Sequence, residues 1–403
     1  MSNRREFLKS SALVSLTPIV PTFLLKLAAA AEVRPDNGRV LVVIQLDGGN
    51  DGINTVVPIK DEGYNKHRRE LRLPEAELLK VSDQFALHPR LWSISQLFEE
   101  GRLSIAHGVG YPNPNRSHFE SMKIWQAGST DREQIESGNG WIGDAFGAES
   151  ITPDKTHAIQ VGQESLQLAL VGRRCNAATI SNSSDLRLRT KISQQPSIGL
   201  ASTENSLVDF VSKSVNQAYA SAEQLGQATS EDSSARYPES RLGQNLKLVS
   251  SLLKIGAGAS VYYTSQPGYD THAGQMSTHG DLLGALSSSL KAFMDDMQQS
   301  GLEDRVLVMC FSEFGRRVAE NDSLGTDHGT AGPVFLSGTS LAERIYGQLP
   351  LLTDLDEGDL KFNLDFRHLY SSIVSHWLGL KVPATLRDYH LSGLFTSNAN
   401  RGN

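Results

Sequence analysis

The sequence predicts an α/β fold in which helices cover both faces of a largely parallel central sheet. Apolar runs rich in β-branched residues recur along the chain, as expected of strands that are buried on both faces. Between these runs, apolar side chains recur at helical spacing. Strands and helices in alternation favour a parallel sheet between two helical layers.

The predicted strands end abruptly at polar or glycine-containing loops. Residues 40–46 form the first strand, which stops at the segment Asp47-Gly48-Gly49-Asn50-Asp51-Gly52. Residues 103–106, 260–264 and 306–311 have the same character. Two helices are predicted from periodic apolar positions, which are Leu242, Leu246, Val249, Leu252 and Leu253 in one and Leu282, Leu283, Leu286, Leu290, Phe293, Met294 and Met297 in the other.

Residues 181–205 and 226–238 differ from the rest because they are rich in Ser, Gln, Thr and charge and show little periodicity. We interpret both as surface excursions within one domain. No internal repeat or inter-domain linker is evident, so residues 32–403 are predicted to form a single domain.

The N-terminus predicts export in the folded state. An arginine pair and an apolar dipeptide in residues 4–9 precede a moderately hydrophobic run, residues 12–27, and the alanines of residues 28–31. A membrane anchor is the alternative, but Pro18 and Pro21 interrupt a run that is shorter than the roughly 20 apolar residues of a span. We therefore predict a twin-arginine signal peptide over residues 1–31, the twin-arginine translocase as partner, and a periplasmic or secreted protein with no membrane span in the mature chain.

Composition excludes some classes of function. The formal charge of -7 and a pI near 5.9 argue against a nucleic-acid-binding surface. With two cysteines, Cys175 and Cys310, disulfides cannot be the main source of stability. Cys310 lies in an apolar strand, so two buried thiols are favoured over a bridge.

Potential ligands follow the ends of three predicted strands, where the functional crevice of an open α/β sheet lies. Asp47 follows the first strand, Glu313 follows residues 306–311, and Asp270 and His272 follow residues 260–264 after a Pro-Gly turn. An aspartate after a strand is by itself more often a turn residue or helix cap. Three such ends together favour a site.

Carboxylates and imidazoles in two segments have spacings typical of metal ligands. Asp270 and His272 face the same way in an extended chain, and His279 would return to them if a helix begins nearby. Asp327 and His328 supply a second pair. The alternative is a capped helix start with a surface histidine, and a hydrogen-bonded turn at the second pair.

Two further residues are candidates for catalysis. Arg316 is suited to holding an oxyanion bidentately. Ser117, in a loop entered through Tyr111-Pro112-Asn113-Pro114, is a candidate nucleophile that needs a metal or a base to activate it. A metal-free hydrolase using Ser117 and His118 is disfavoured, because adjacent residues seldom face each other as a triad requires.

Five ordered blocks resemble the domain of unknown function 1501 family. They are residues 46–52, 115–119, 268–272, 312–316 and 325–329, and residues 365–367 and 377–379 of the tail are similar too. The family is similar to the alkaline phosphatase and sulfatase superfamily, which implies a three-layer alkaline phosphatase-like fold. It also implies divalent metals at the strand ends and attack on phosphate or sulfate esters.

Carried over by residue, the resemblance makes Asp47 a metal ligand and Ser117 the nucleophile at that metal. Asp270, His272, His279 and His328 would hold a second metal. Glu313 would replace an aspartate of the superfamily, whereas Phe314 stands where a histidine is usual. The formylglycine signature of sulfatases is not evident.

The leading hypothesis is therefore an exported metal-dependent hydrolase of phosphate or sulfate esters of a small molecule or glycan, with zinc, manganese, calcium or magnesium as the metal. The alternative, which Phe314 supports, is a catalytically inactive binding or assembly protein that retains the fold.

Overall fold

The computed structural model describes residues 38–147, 156–181 and 235–396. The predicted signal peptide lies outside these residues, as do nearly all of residues 181–205 and most of residues 226–238. No helix in the described part of the chain is both long and apolar enough to cross a bilayer.

The strands, numbered in chain order, are β1 Val40–Asp47, β2 Val56–Val57, β3 Leu79–Lys80, β4 Ala86–Leu87, β5 Leu103–Gly110, β6 Ala158–Val161, β7 Ala177–Ile180, β8 Val261–Pro267, β9 Val306–Phe311, β10 Gly332–Ser337, β11 Ile345–Tyr346, β12 Leu355–Asp356, β13 Asp359–Leu360 and β14 Leu364–Asp365. The helices are α1 Gly52–Thr55, α2 Glu62–His67, α3 Trp92–Glu99, α4 His118–Ala127, α5 Arg132–Glu136, α6 Trp141–Gly147, α7 Arg241–Lys254, α8 Gln275–Gln299 and α9 Phe366–Ser372. The four predicted strands correspond to β1, β5, β8 and β9, and the two predicted helices to α7 and α8. These predictions are confirmed.

The central sheet has the order β11-β5-β10-β9-β1-β8-β6-β7, and β14 also pairs with β5. Only β10 runs antiparallel to its neighbours, β5 and β9. Two small sheets, β2-β4-β3 and β12-β13, lie apart from it. The sheet is therefore largely parallel, as predicted.

Both faces of the sheet are covered by helices. Val42 and Ile44 of β1 join a core that contains apolar side chains of α3, α7 and α8. Leu41 and Val43 point the other way, into a core with aromatic side chains of α4, α6 and α9. Because both faces are buried, β1 carries apolar residues at successive positions instead of alternating ones. The predicted three-layer arrangement is confirmed.

The two cysteines are not bridged. Cys310 is buried in β9 and Cys175 is half-buried, and both are free thiols. The core of the described domain is stabilised by packing without a disulfide, as the sequence predicts.

Candidate metal centre

The candidate site lies at the carboxyl ends of three adjacent strands, β9, β1 and β8. Asp47 is the last residue of β1 and pairs in register with Pro267, the last residue of β8. Asp270 follows three residues after Pro267, and Glu313 follows two residues after the end of β9. The topology of the sheet thus brings Asp47 together with two carboxylates that lie more than 200 positions later in the sequence.

Two glycines let these loops approach closely. Gly48 and Gly49 have φ angles of 118° and 79°, which favour glycine over other residues. A Cβ atom at Gly48 would lie 2.3 Å from the backbone nitrogen of Asp270, and one at Gly49 would lie 2.4 Å from the ring of Phe314. The Asp-Gly-Gly segment is therefore a steric requirement of the site.

Three imidazoles surround the carboxylate of Asp270. Its Oδ1 atom lies 3.1 Å from Nε2 of His272, 3.2 Å from Nε2 of His328 and 3.4 Å from Nε2 of His118. The Nε2 atoms of His272 and His328 are 2.9 Å apart. Ligand atoms of His118, Asp270 and His328 all lie within 4.8 Å of one another, an arrangement that could hold a metal ion. We call these three residues the Asp270 cluster.

Neighbouring acceptors orient two of the imidazoles. Nδ1 of His118 lies 2.8 Å from Oε1 of the buried Glu313, and Nδ1 of His328 lies 2.7 Å from the carbonyl oxygen of Arg116. A carbonyl or ionised carboxylate only accepts, so each Nδ1 carries a proton, and each Nε2 faces Asp270. Histidines that bind a metal through one ring nitrogen usually donate a hydrogen bond from the other to a carboxylate or carbonyl group of this kind.

Electrostatics couple His118 to Glu313. The hydrogen bond to Glu313 raises the pKa of His118, against the opposing effect of burial. Glu313 also accepts hydrogen bonds from the backbone N–H of Gly48, at 2.9 Å, and from the hydroxyl of Ser312, at 2.9 Å. Glu313, predicted as a metal ligand, is thus placed as the partner that orients His118.

Arg316 is buried and donates to protein atoms. Its guanidinium contacts the carbonyl oxygens of Gly48, Gly49, Tyr269 and Thr326, and it lies 2.7 Å from Oδ1 of Asp270. Burial opposes the ionisation of Asp270, but hydrogen bonds from Arg316 and His328 outweigh it and lower its pKa to about 2. The geometry therefore gives Arg316 the task of joining the site loops and keeping Asp270 ionised, in place of the predicted contact with a substrate oxyanion.

Asp47 has the opposite electrostatic character. Burial raises its pKa to about 6, and the negative charges of Glu313 and Glu164 add to this effect. A hydrogen bond from Gln45 and the nearby charge of His118 oppose it. A carboxyl group with such a pKa exchanges protons near neutrality, and a bound cation would favour its ionised form.

Phe314 packs against the imidazoles of the cluster. Its ring centroid lies 4.9 Å from that of His118 and 4.9 Å from that of His328. The position at which the resemblance implies a histidine is therefore an apolar wall, and His118 supplies an imidazole from a different segment.

The structure does not bring His279 to the cluster. It is buried in α8, where its Nε2 atom lies 2.9 Å from Oδ1 of Asn50 and its ring faces His88 edge-on at 5.9 Å. Burial lowers its pKa to about 4. His279 thus belongs to a polar layer beneath the site.

The other predicted residues lie around the cluster. Oδ1 of Asp327 is 3.4 Å from Nδ1 of His272, so Asp327 is placed to orient that imidazole. Ser117 is the exposed N-cap residue of α4, and its side chain makes no capping hydrogen bond. Its hydroxyl is therefore not engaged in capping α4.

Sequence reasoning missed two features. It gave His118 no role as a ligand. It also missed the fully buried ion pair below the site, in which Asp51 accepts from Arg68 at 2.5 Å and 3.0 Å. The sequence does indicate one role of Asp51, because an aspartate directly before a helix is typical of an N-cap, and Asp51 caps α1.

Comparison with solved structures finds similarity at low identity. The C-terminal periplasmic domain of EptC from Escherichia coli, in complex with Zn, is 10% identical, with 88% of this chain and 86% of that chain covered and a TM-score of 0.39. Murine ectonucleotide pyrophosphatase/phosphodiesterase 5, in an inactive form with AMP, is 8% identical, with 85% and 96% covered and a TM-score of 0.38. A protein in the alkaline phosphatase superfamily from Vibrio parahaemolyticus is 10% identical, with 83% and 74% covered and a TM-score of 0.32.

No curated protein matches the sequence. A family model does match, over residues 39–357, and the family is described as a protein of unknown function, DUF1501. The match covers most of the chain and includes every residue of the Asp270 cluster. The chain therefore belongs to the DUF1501 family.

Proposed function

We propose that this protein is an exported hydrolase of phosphate or sulfate esters that depends on a divalent cation. The observation that carries the proposal is the convergence of His118, Asp270 and His328, from three distant segments, at the carboxyl edge of the sheet. Such convergence of imidazole and carboxylate groups at strand ends is typical of catalytic metal sites in α/β enzymes.

The residues present fit a metal ion. Nε2 of His118 is buried and has no hydrogen-bond partner in the described part of the chain, although Asp270 lies 3.4 Å away. A buried nitrogen without a partner is unfavourable unless something else binds it. Two imidazoles and one carboxylate suit zinc better than calcium or magnesium, which prefer oxygen ligands. His118, Asp270 and His328 would hold the cation, with His272 beside them.

When bound, the cation would supply Lewis acidity at the oxygens of the ester. Glu313 keeps the Nδ1 proton of His118 in place and so directs Nε2 toward Asp270. Arg316 holds Asp270 ionised. These two residues act through the ligands they contact and are positioning residues.

Ser117 is the proposed nucleophile. Its Oγ atom would lose its proton and form a bond to phosphorus or sulfur, while the bond to the ester oxygen breaks and the leaving alcohol takes up a proton. Water would then hydrolyse the serine ester, which returns a proton to Oγ and releases phosphate or sulfate. Burial raises the pKa of Asp47 to about 6, and the cation would ionise this carboxyl group at the same edge of the sheet. The assignment of Ser117 as the nucleophile is supported by its exposure and by its position one residue before His118.

Metal content and ester hydrolysis test the proposal together. The mature protein is expected to retain about one equivalent or more of zinc or manganese and to hydrolyse members of a panel of phosphate and sulfate esters. Ser117→Ala should abolish hydrolysis without loss of metal, whereas Ser137→Ala, at another exposed serine, should not affect it. Activity that persists in Ser117→Ala would exclude this nucleophile.

Export is tested separately. The N-terminus of the secreted or periplasmic protein should lie just after Ala30 or Ala31, and replacing Arg4 and Arg5 by lysine should retain the protein in the cytoplasm. A mature protein that begins at Met1 would contradict the predicted cleavage.

A binding or assembly protein without activity is the second candidate, and Phe314 favours it. The two candidates differ in metal content. A purified protein that holds no metal, even after incubation with zinc and manganese, would support the inactive alternative.

A further inference from the structure

A cavity of about 780 Å³ opens beside the Asp270 cluster. Small-molecule sites typically have volumes of roughly 300–1,000 Å³. Two lining residues also border the cluster, since the ring of Phe314 packs against His118 and His328 and the carbonyl oxygen of Arg116 contacts His328. A ligand anchored at the cluster would therefore extend directly into this cavity.

The charged side chains of the cavity wall do not favour a second anion. The wall contains two cationic side chains, Arg116 and Lys361, and three acidic ones, Asp356, Glu357 and Asp359. Arg116 is paired with the buried Asp359, and Lys361 is paired with an aspartate outside the cavity. Because both cationic side chains are paired and acidic side chains are in excess, the wall disfavours a second anionic group on the ligand.

Uncharged polar groups and an aromatic ring complete the wall. The side-chain amide of Asn113 makes no hydrogen bond within the described residues, and Asn115 uses only its Oδ1 atom, which accepts from the backbone N–H of Ser117. The ring of Phe362 is 38% exposed. Free amides can bind hydroxyl groups while an exposed ring packs against a C–H face, and a sugar ring presents both.

Backbone strain occurs in two wall segments. Asn113 and Glu357 have φ angles of 54° and 50°, and the described residues contain only one other non-glycine residue with a positive φ. Strained conformations of this kind cluster at ligand-binding sites, because the surrounding structure must hold them there. Both lie in loops that line the cavity.

We propose that this cavity binds a neutral saccharide as the leaving group of the ester substrate, with Phe362, Asn113 and Asn115 as the specificity-determining residues. The assignment rests on the proposed function, because it places the phosphate or sulfate of the same molecule at the Asp270 cluster. The saccharide contacts themselves require no chemistry, so they can be measured without turnover.

The test begins with binding. Metal-loaded protein is titrated by calorimetry with neutral tetrasaccharides of glucose, mannose and galactose. At least one should bind, and Phe362→Ala should weaken its binding about tenfold through loss of the aromatic contact. Trp92→Ala removes another aromatic side chain that is 60% exposed and outside the cavity, so it should leave binding unchanged. Circular dichroism of both variants checks that they fold.

Kinetics then link the cavity to the ester. Phe362→Ala should lower kcat/KM about tenfold for a phosphate or sulfate ester of the bound saccharide and leave kcat/KM for the matching 4-nitrophenyl ester unchanged. If the nitrophenyl ester is hydrolysed but no tetrasaccharide binds, or if Phe362→Ala affects both esters equally, the saccharide assignment is overturned and the proposed function stands. If tetrasaccharides bind but no ester is hydrolysed, the leaving-group assignment fails together with the proposed function.

Discussion

Replacing Asp47 by asparagine should stabilise the metal-free protein at neutral pH. Burial raises the pKa of Asp47 from 3.8 to about 6 in the folded state. A tenfold change in proton affinity corresponds to about 1.4 kcal/mol, so ionising Asp47 costs the folded state about 3 kcal/mol relative to the unfolded chain. Asparagine has nearly the same shape, and its Oδ1 atom still accepts the hydrogen bond from Gln45.

The sign of the effect depends on pH. Below pH 3.8 Asp47 is protonated in both the folded and the unfolded wild-type protein, so the variant has no advantage in free energy of unfolding there. Between pH 3.8 and about 6 the folded state holds a proton that the unfolded state has released, and the wild-type free energy of unfolding falls by about 1.4 kcal/mol per pH unit from this residue. Above pH 6 the free energy of unfolding of the variant exceeds that of the wild type by a constant amount of about 3 kcal/mol.

The assay is urea unfolding of chelator-treated protein at several pH values, with Asp83→Asn, at an exposed aspartate, as the control. A variant that is no more stable than wild type at pH 7, or whose gain is the same at pH 3.5 and pH 7, would refute the reasoning. Added zinc should reverse the order, because the ionised Asp47 would then be stabilised by the cation.

Three further predictions test other parts of the site and core. Glu313→Gln should lower the pKa of His118, measurable by NMR titration, and weaken zinc binding about 10- to 100-fold by calorimetry, as expected when the partner of a metal-binding histidine is lost. Arg68→Met should reduce the free energy of unfolding by about 3–5 kcal/mol, because it leaves the carboxylate of Asp51 buried and unpaired, and adding Asp51→Asn should recover part of that loss in urea unfolding. Burial lowers the pKa of His107 from 6.5 to about 4, so between these pH values the unfolded chain binds a proton that the folded state does not, and the free energy of unfolding falls as the pH falls. His107→Leu removes this difference in proton binding and should therefore reduce the acid sensitivity of the melting temperature over this range.

The central strands and helices could be predicted because the burial of one or both faces of an element determines the spacing of its apolar residues. β1 is apolar at successive positions because each face packs against a helical layer, and α8 has apolar residues at helical spacing because one side faces the sheet. The same reasoning predicted that carboxylates at neighbouring strand ends would meet. Asp47, Asp270 and Glu313 do lie at one edge of the sheet.

The location of His279 depended on where a helix begins. α8 begins at Gln275, so His279 falls on the same buried stripe as Leu283, Leu286 and Leu290. That stripe packs against the core, which places His279 beneath the site and not in it. The spacing of residues 279, 283, 286 and 290 in the sequence is typical of one buried face of a helix.

His118 could not be assigned from sequence because its role depends on side-chain direction across a distance of 195 positions to Glu313. His118 is the first residue of α4, so the start of this helix sets the direction of its imidazole. Glu313, Gly48 and Phe314 fix His118 there through a hydrogen bond and ring packing. These contacts join residues that are far apart in the sequence, so no pattern in the residues around His118 indicates them.

Whether Phe314 marks a decayed site can be argued from the energetics of its neighbours. A protein that had lost metal binding would gain stability by replacing Asp47, since the ionised carboxylate is unfavourable in its buried position beside Glu313. It would also gain by giving the buried Nε2 atom of His118 a partner or by replacing the imidazole. The chain keeps both features, although the imidazole missing at position 314 is supplied by His118. A bound cation would relieve both unfavourable groups, so their presence at one edge of the sheet favours the proposed cation site over a decayed one.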